Sequence, residues 1–456
     1  MFLFTKKGMA ILRRWKITYL IIVELAHKYT RALISGFISG LILSITFLRI
    51  YPAISVLWLM PVNHIGIVGD YTPNSLPLFI QRKISMGLTN LTEDGSSIPG
   101  LATSWVASDS GKIFTFYLRK DLLWHNKKPV HASSVNYNIR GVTFTPIDQF
   151  TLRATLHNSY SPFPVLVSKP LFQSGLIGFG PYRVTNIQLN GDLVNYLRLT
   201  PVSQQHTQMN VLEYRFYHTE SQAILAYKLG EIDMIDDLTS PYDLPSFINT
   251  AITNSVSFSR ILTLFYNFDN TKLADKAFRQ GLAYAIPNIS GERAYTSVPK
   301  TSWAYTDKVK KYNYDLSQAK QLLKSSPSAS NSASFVLSTF SPNIDFAQSI
   351  AQSWTSLGIP TSVQVINTIP TNYQILLSAQ EVPPDPDQYP LWHSTQTQSN
   401  ISQYTNVKID KLLEDGRQEL SRESRIRIYT DFQRRLVDDV PAVFLIYIPS
   451  YRITRR

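Results

Sequence analysis

Apolar positions along the body of the chain alternate between strand and helix periods. Phe114, Phe116 and Leu118 fall on one face of a strand over Ile113–Leu118. Thr219 and Gln222 have the spacing of a capping box, in which hydroxyl and amide satisfy backbone N–H groups reciprocally. The helix they open carries Ile224, Leu225 and Leu229 and stops at Gly230, with a short strand predicted over residues 232–235. Phe278, Leu282, Ala285 and Ile286 form one helical face that Pro287 ends. Phe335–Thr339 reads as a strand, a helix bearing Ala347, Ile350, Trp354 and Leu357 runs to Gly358, and Thr361–Val365 reads as the next strand. That order is a βαβ unit and requires a parallel sheet. Ile426, Tyr429, Phe432 and Leu436 line a last helix face, Pro441 breaks it, and residues 442–448 are almost continuously apolar. Residues 324–334 are Ser-rich and read as an exposed loop; no internal repeat is found. The fold class is mixed α/β.

Residues 32–48 carry no charge and are bounded by Arg31 and Arg49. At 1.5 Å per residue, seventeen helical residues nearly cross a hydrocarbon core of about 30 Å, and the flanking arginines reach the interface. A cleaved signal peptide is the alternative, but Arg49-Ile50-Tyr51-Pro52 follows in place of a small-residue cleavage site. A transmembrane anchor over residues 32–49 is therefore expected, with residues 1–31 as a cytoplasmic basic tail and the body outside. Residues 10–26 are a candidate interfacial helix.

Charge supports the same division. The chain of 456 residues has a net charge of +12, a figure that suggests nucleic acid until it is localised. Residues 1–50 hold eight Lys and Arg against Glu24 alone, a net +7, which leaves +5 for residues 51–456. The basicity thus belongs mainly to the tail. A mean hydropathy of −0.08 excludes a polytopic membrane protein. The absence of cysteine excludes disulfides, thiolate metal sites, a cysteine nucleophile and a lipid-modified cysteine.

Several short segments, in order, resemble one family. Leu101-Ala102-Thr103-Ser104-Trp105 with Gly111-Lys112-Ile113-Phe114-Thr115-Phe116-Tyr117-Leu118-Arg119 is similar to an LAxSW…GKxYTFxLR pattern. Trp124-His125-Asn126-Lys127-Lys128-Pro129-Val130, Gly180-Pro181-Tyr182, Leu229-Gly230-Glu231-Ile232-Asp233, Phe265-Tyr266-Asn267-Phe268 and Phe278-Arg279-Gln280-Gly281-Leu282-Ala283-Tyr284-Ala285-Ile286 continue the match, and Tyr314-Asp315 with Ala319-Lys320-Gln321-Leu322-Leu323 completes it. Together they resemble the peptide/nickel-binding (family 5) solute-binding proteins of ABC transporters. The resemblance implies a bilobed, type II periplasmic-binding-protein fold. Lobe I would comprise residues 62–80, 176–262 and 441–456, with a subdomain inserted at 81–175, and lobe II residues 263–440. A solute would bind between the lobes.

Site residues follow from the same resemblance. Asp385-Pro386-Asp387-Gln388-Tyr389 matches the family's DPxxF/Y stretch facing the cleft. An aspartate three residues before that DP commonly pairs with the ligand's amine; here Val382 stands there, and the nearest acid is Glu381. Glu381 and Asp385 are therefore the candidates for that contact, the plain alternative being acids that cap a solvated turn. Tyr389, Trp392, Trp303 and Tyr266 are candidate ligand-stacking rings, although tryptophan is more often core. Asn267 is assigned to the hinge backbone and Arg279 to an interlobe or helix-face ion pair, while Trp124 and His125 are assigned structural roles.

Enzyme chemistry finds no support. The eight histidines show neither HExxH nor i, i+4 spacing, and no GxSxG, GxxxxGK[ST] or complete GxGxxG occurs, Gly178-Phe179-Gly180 lacking its third glycine. The expectation is a monomeric, membrane-anchored extracytoplasmic receptor that captures a peptide-like solute, needs no metal or cofactor, and feeds an ABC permease. The alternative is a surface interaction protein on the same fold that binds an extracellular polymer such as nucleic acid.

Overall fold

The computed structural model describes residues 16–21, 23–24, 27–59, 61–202, 209–326, 328 and 334–456. It divides into two units, Met1–Val62 and Asn63–Arg456. The first contains helix α1 (Thr30–Leu59), of which Thr30–Arg49 is long and apolar enough to cross a membrane. The candidate interfacial helix lies partly outside the described residues; those described within it, 16–21 and 23–24, are helical.

The second unit is organised by one ten-stranded sheet. Its strands are β1 (Val62–Val68), β8 (Tyr182–Asn190), β9 (Leu193–Pro201), β10 (Val211–Tyr217), β11 (Met234–Leu238), β12 (Thr250–Tyr266), β13 (Phe335–Thr339), β14 (Thr361–Val365), β15 (Ile375–Glu381) and β16 (Ala442–Arg455). The order is β14-β13-β15-β12-β16-β11-β1-β10-β9-β8. β12 and β16 are the long members, at 17 and 14 residues, and pair antiparallel from Thr250↔Arg455 to Phe265↔Ala442. At one end β11 extends this ribbon through β16 (Met234↔Thr454), with β1 parallel beyond it. At the other end β15 extends it through β12, from Arg260↔Glu381 to Tyr266↔Ile375. The sheet therefore has two halves, and the chain crosses between them on β12 and returns on β16.

The ladder is interrupted where the halves meet. The pairing steps from Ser257↔Ile448 to Ile261↔Tyr447, four residues along β12 against one along β16. Phe258, Ser259 and Arg260 form the bulge, and Pro449, which has no N–H to donate, stands opposite Val256.

Each half keeps its own core. Ile261, Phe265, Phe278, Leu282, Trp354, Tyr429 and Phe432 belong to one cluster in the second half. In the first half, Ile65, Ile80 and Leu197 cluster separately from Ile224, Tyr227 and Ile235. Between β1 and β8 an insert adds strands β2 (Thr89–Leu91), β3 (Ser97–Pro99), β4 (Ala102–Ser108), β5 (Ile113–Leu118), β6 (Val142–Pro146) and β7 (Thr151–Leu156). A hairpin of β2 with β3 accompanies a four-stranded sheet ordered β4-β5-β7-β6, around a core containing Phe114, Phe116, Trp124 and Phe163. Gly178 and Gly180 tie the insert to the first half: a Cβ at Gly178 would lie 2.1 Å from the Ile84 carbonyl oxygen. Close backbone approach, rather than a phosphate, accounts for these two glycines.

Helix faces agree with the periodicity in part. Thr219 accepts from the Gln222 N–H at 3.3 Å, and Gly230 closes the helix over Glu220–Leu229 at φ 81°. Its inward residues are Ala223, Ile224, Ala226 and Tyr227, while Leu225 and Leu229 face outward. The βαβ unit is present as expected, β13 pairing parallel with β14 around a helix over Ile344–Ser356. On the helix over Arg422–Asp439, Tyr429, Phe432 and Leu436 are buried, but Arg425 takes the inward place expected for Ile426. Of residues 324–334, positions 327 and 329–333 lie outside the described residues.

Trp354 is fully buried and donates to the Leu282 carbonyl at 3.0 Å, so Trp354→Ala is expected to cost about 3–5 kcal/mol in urea denaturation. Ile426→Ala, at a position 36% exposed, is expected to cost under about 1 kcal/mol.

Candidate functional site

Strand direction locates the site. β1 and β11 run parallel, and the carboxyl end of β11 approaches the bulge because Leu238 lies opposite Tyr451 on antiparallel β16. β15 reaches the same level from the other half, its last residue Glu381 opposite Arg260. Carboxyl ends of strands that meet where connections diverge leave a crevice suited to ligands.

Charged groups collect at this crossing. Asp237, held at φ 64°, takes an ion pair from Arg260 with Nη2 2.5 Å from Oδ1. After β1, Tyr71 donates to the Val68 carbonyl at 3.3 Å and packs edge-on against Phe216. Burial raises the Tyr71 hydroxyl pKa, and the charges of Asp237, Glu381 and Asp70 add to the rise while Arg260 opposes it. Those four charges thus act on one phenol. Asp70 is bonded to His218. Glu381 is exposed, and its carboxylate, unlike its backbone, has no hydrogen-bond or ion-pair partner among the described residues.

The segment after β15 runs from this cluster along the insert. Val382 is buried and donates its N–H to Ser259 at 2.8 Å, so the position where a peptide-holding acid was sought belongs to the core. Asp385 is clamped by Arg425, with Nη1 3.0 Å from Oδ2 and Nη2 2.5 Å from Oδ1. Burial alone would pull the Arg425 pKa down, but the charge and hydrogen bonds of Asp385 outweigh it and hold the guanidinium ionised. Asp387 is also buried, which raises its pKa, and the Arg417 charge opposes that rise. The Arg417 Nε lies 3.1 Å from Asp387 Oδ2, as an ion contact rather than a directed hydrogen bond. The Arg417 guanidinium is held between two rings, 4.1 Å from Tyr389 and 5.0 Å from Tyr160 of the insert. Beside them is a cavity of about 570 Å³ lined by Arg140, His157, Tyr160, Phe163, Tyr389 and Arg417. That volume lies within the range of small-molecule pockets.

The anticipated site residues divide into two groups. Glu381, Tyr389 and Trp303 stand on the surfaces that border the crossing and the insert; Trp303 is half-buried under Arg422 and Arg425. Tyr266 and Trp392 do not, and the ligand contact expected of them is corrected. Tyr266 is fully buried with its hydroxyl donating to the Arg279 carbonyl at 3.4 Å, and Trp392 is 1% exposed, donating to Gln388 at 3.0 Å. Both rings fill the second-half core. Asp385 has its two oxygens committed to Arg425, which leaves no free carboxylate for an amine.

Asn267 and Arg279 also change role. Asn267 donates to the Tyr373 carbonyl at 2.7 Å, beyond the end of β12 and away from the bulge, so it fixes backbone without marking the hinge. Arg279 makes no carboxylate pair; it donates to the carbonyls of Val440, Leu273, Ala274 and Asp439 and lies under the Phe268 ring. Trp124 and His125 are structural as expected, His125 lying 3.0 Å from the Gly180 carbonyl oxygen. Asp70, Tyr71, Asp237, Arg260, Tyr160 and Arg417 were not singled out by sequence. Only the Gly-Glu-Ile-Asp segment just before β11 hinted at this region.

Among the described residues, no group of three or more His, Asp or Glu side chains could hold a metal ion. A family model for bacterial extracellular solute-binding proteins, family 5, matches residues 97–151 and 142–400. The chain belongs to that family. This family 5 chain is 21% identical to the dipeptide-binding protein of Escherichia coli over 85% of its own length and 86% of the relative's. Two solved structures share the fold. CtaP of Listeria monocytogenes, an ABC transporter substrate-binding protein, superposes with a TM-score of 0.73 at 21% identity, covering 87% of this chain and 94% of that one. NikZ of Campylobacter jejuni, solved with Ni(L-His), gives 0.69 at 21% identity, covering 86% and 94%. The fold is thus the bilobed binding-protein architecture.

The β2–β3 hairpin of the insert carries a carboxylate that titrates low. Burial would raise the Asp94 pKa, but hydrogen bonds from Thr92, Ser96 and Arg422 lower it to about 2. A carboxylate depressed in the folded state stabilises above its unfolded value and loses that contribution as pH falls. The stability difference between the native chain and Asp94→Asn is expected to be full at pH 6 and to shrink from about pH 4 towards about pH 2 in thermal melts.

Proposed function

We propose that this family 5 protein is an extracytoplasmic receptor that closes its two lobes on a peptide-like solute and delivers it to an ABC permease. Lobe I comprises residues 62–80, 176–257 and 448–456, the insert residues 81–175 and lobe II residues 261–447. The expected limits at 262/263 and 440/441 move to the bulge because Ile261, Leu262 and Ala442 to Tyr447 pack in the second-half core. The observation that carries the reading is the crossing, where Glu381, with an exposed carboxylate, stands opposite Arg260, which is paired to Asp237 of the other half. A free carboxylate there suits a solute ammonium. Capture by closure requires chemical complementarity and a hinge, without a bond being made or broken. Membership in a family of substrate-binding proteins supports the same non-enzymatic role.

Residues 32–49 anchor the receptor, with the basic tail cytoplasmic and the monomeric body on the extracytoplasmic face. The apolar helix over Thr30–Arg49 supports that topology.

A panel of peptides, sugars and nickel chelates, added at saturation to the full chain, tests the proposal by thermal shift. A true ligand at about 100 times its Kd adds about 2.7 kcal/mol of stability. Peptides are expected to raise the melting temperature, and failure of all three classes would sink the receptor reading. Glu381→Gln is expected to weaken a free-amine peptide by about tenfold to a hundredfold in calorimetric titration and to leave its N-acetyl form unchanged. Equal affinity of both forms for both proteins would remove Glu381 from the amine contact.

A further inference from the structure

The insert meets lobe II at two places on either side of the 382–389 segment. At the first, the β2–β3 hairpin presents Asp94 and Gly95. The Trp303 N–H donates to the Asp94 carbonyl at 3.2 Å, and Arg422 Nη2 lies 3.1 Å from the Asp94 carboxylate. Within the hairpin, that carboxylate is already oriented by the Thr92 hydroxyl and by the Ser96 N–H at 3.0 Å. Gly95, at φ 83°, packs so closely that a Cβ would lie 2.1 Å from the Pro384 carbonyl oxygen. At the second place, the Ser161 N–H donates to the Arg417 carbonyl at 2.7 Å, and Tyr160 covers the Arg417 guanidinium.

This seam differs in kind from the lobe cores. It is made of a few backbone hydrogen bonds, an exposed ion pair and cation–ring contacts, and the cavity of about 570 Å³ lies within it. Exposed ion pairs hold weakly and are screened by salt, so such a surface can part and re-form. Its contacts are nevertheless directional.

We propose that the insert is the jaw of this receptor: the Asp94–Gly95 hairpin and the Tyr160–Ser161 corner latch onto Trp303, Pro384, Arg417 and Arg422 and hold the lobes closed. The inference rests on the reading of two lobes that close, and it adds that the closed state is held through the insert even without solute. Because Pro384 and Arg417 flank Asp385 and Asp387, opening the latch uncovers the segment that borders the cavity.

The chain has no cysteine, so spin labels can be placed at will. Cysteines at Ser133, exposed in the insert, and Val407, 84% exposed on lobe II, report their separation by pulsed dipolar spectroscopy on the full chain without solute. Arg422→Ala, at a side chain 56% exposed and thus tolerant of truncation, is expected to add a longer-distance population, as is raised salt. Gly95→Val is expected to give a larger one. Gly358→Val imposes the same backbone strain at φ 84° with nothing within 4 Å of its Cβ, and is expected to leave the distances unchanged. Distances in Arg422→Ala and Gly95→Val that match the native chain overturn the latch, as does lengthening of equal size in Gly358→Val. The labels read closure alone, so a failed latch leaves solute binding to be decided by the melting panel.

Discussion

The antiparallel ribbon of β12 and β16 is the constraint on which the rest of the body depends. The chain passes between the sheet halves on these strands, whose pairing breaks widely at Phe258–Ser259–Arg260 opposite Ile448 and Tyr447 and steps by one further residue at Leu445, between Leu262 and Thr263. On either side the ribbon is widened, by β11 and β1 in one direction and by β15 and β13 in the other, so bending is costly there. At the bulge, ladder hydrogen bonds are missing and Pro449 offers no N–H. A bend placed at this interruption would leave the separate core of each half intact. The same bulge turns Arg260 towards Asp237 and places it opposite Glu381, so the hinge and the candidate binding groups are one feature of the backbone.

Charge placement along residues 381–389 shows how a lobe surface can be rigid on one side and reactive to ligand on the other. Asp385 and Asp387 are buried and answered by Arg425 and Arg417; breaking one partner from a buried pair costs about 3–5 kcal/mol, which fixes the course of the segment. Glu381, at the start of the segment, remains exposed and unpaired. A fixed backbone with one free carboxylate is the arrangement that a receptor for small cationic or zwitterionic solutes requires, since little ordering is left to occur on binding.

Much of this architecture was legible in the sequence, for identifiable reasons. Period-2 alternation marked β5 because one face of that strand is buried and the other is not. Ordered short segments pointed to the family. Individual site residues were harder. Trp392 and Tyr266 looked like ligand-stacking rings, but ring chemistry does not reveal that Gln388 and the Arg279 carbonyl hold them inside the core. The Asp-Pro-Asp run looked like ligand chemistry, yet the arginines that answer it lie about 30 to 40 residues later, at Arg417 and Arg425, on helix faces whose register is set by tertiary packing. Arg260 and Asp237 depend on a bulge and on a positive φ at a non-glycine residue, neither of which has a composition signature.

The central claim is that one interrupted ribbon both hinges the lobes and senses the solute. Amide hydrogen exchange on the full chain, read with and without the solute that most raises the melting temperature, tests it most directly. Residues 257–261 and 447–450 are expected to exchange fast when empty and to slow on binding together with residues 381–384, while the paired stretches 250–255 and 262–266 stay protected throughout. Uniform protection of β12 in the empty protein, or slowing confined to regions away from the crossing, would contradict the account.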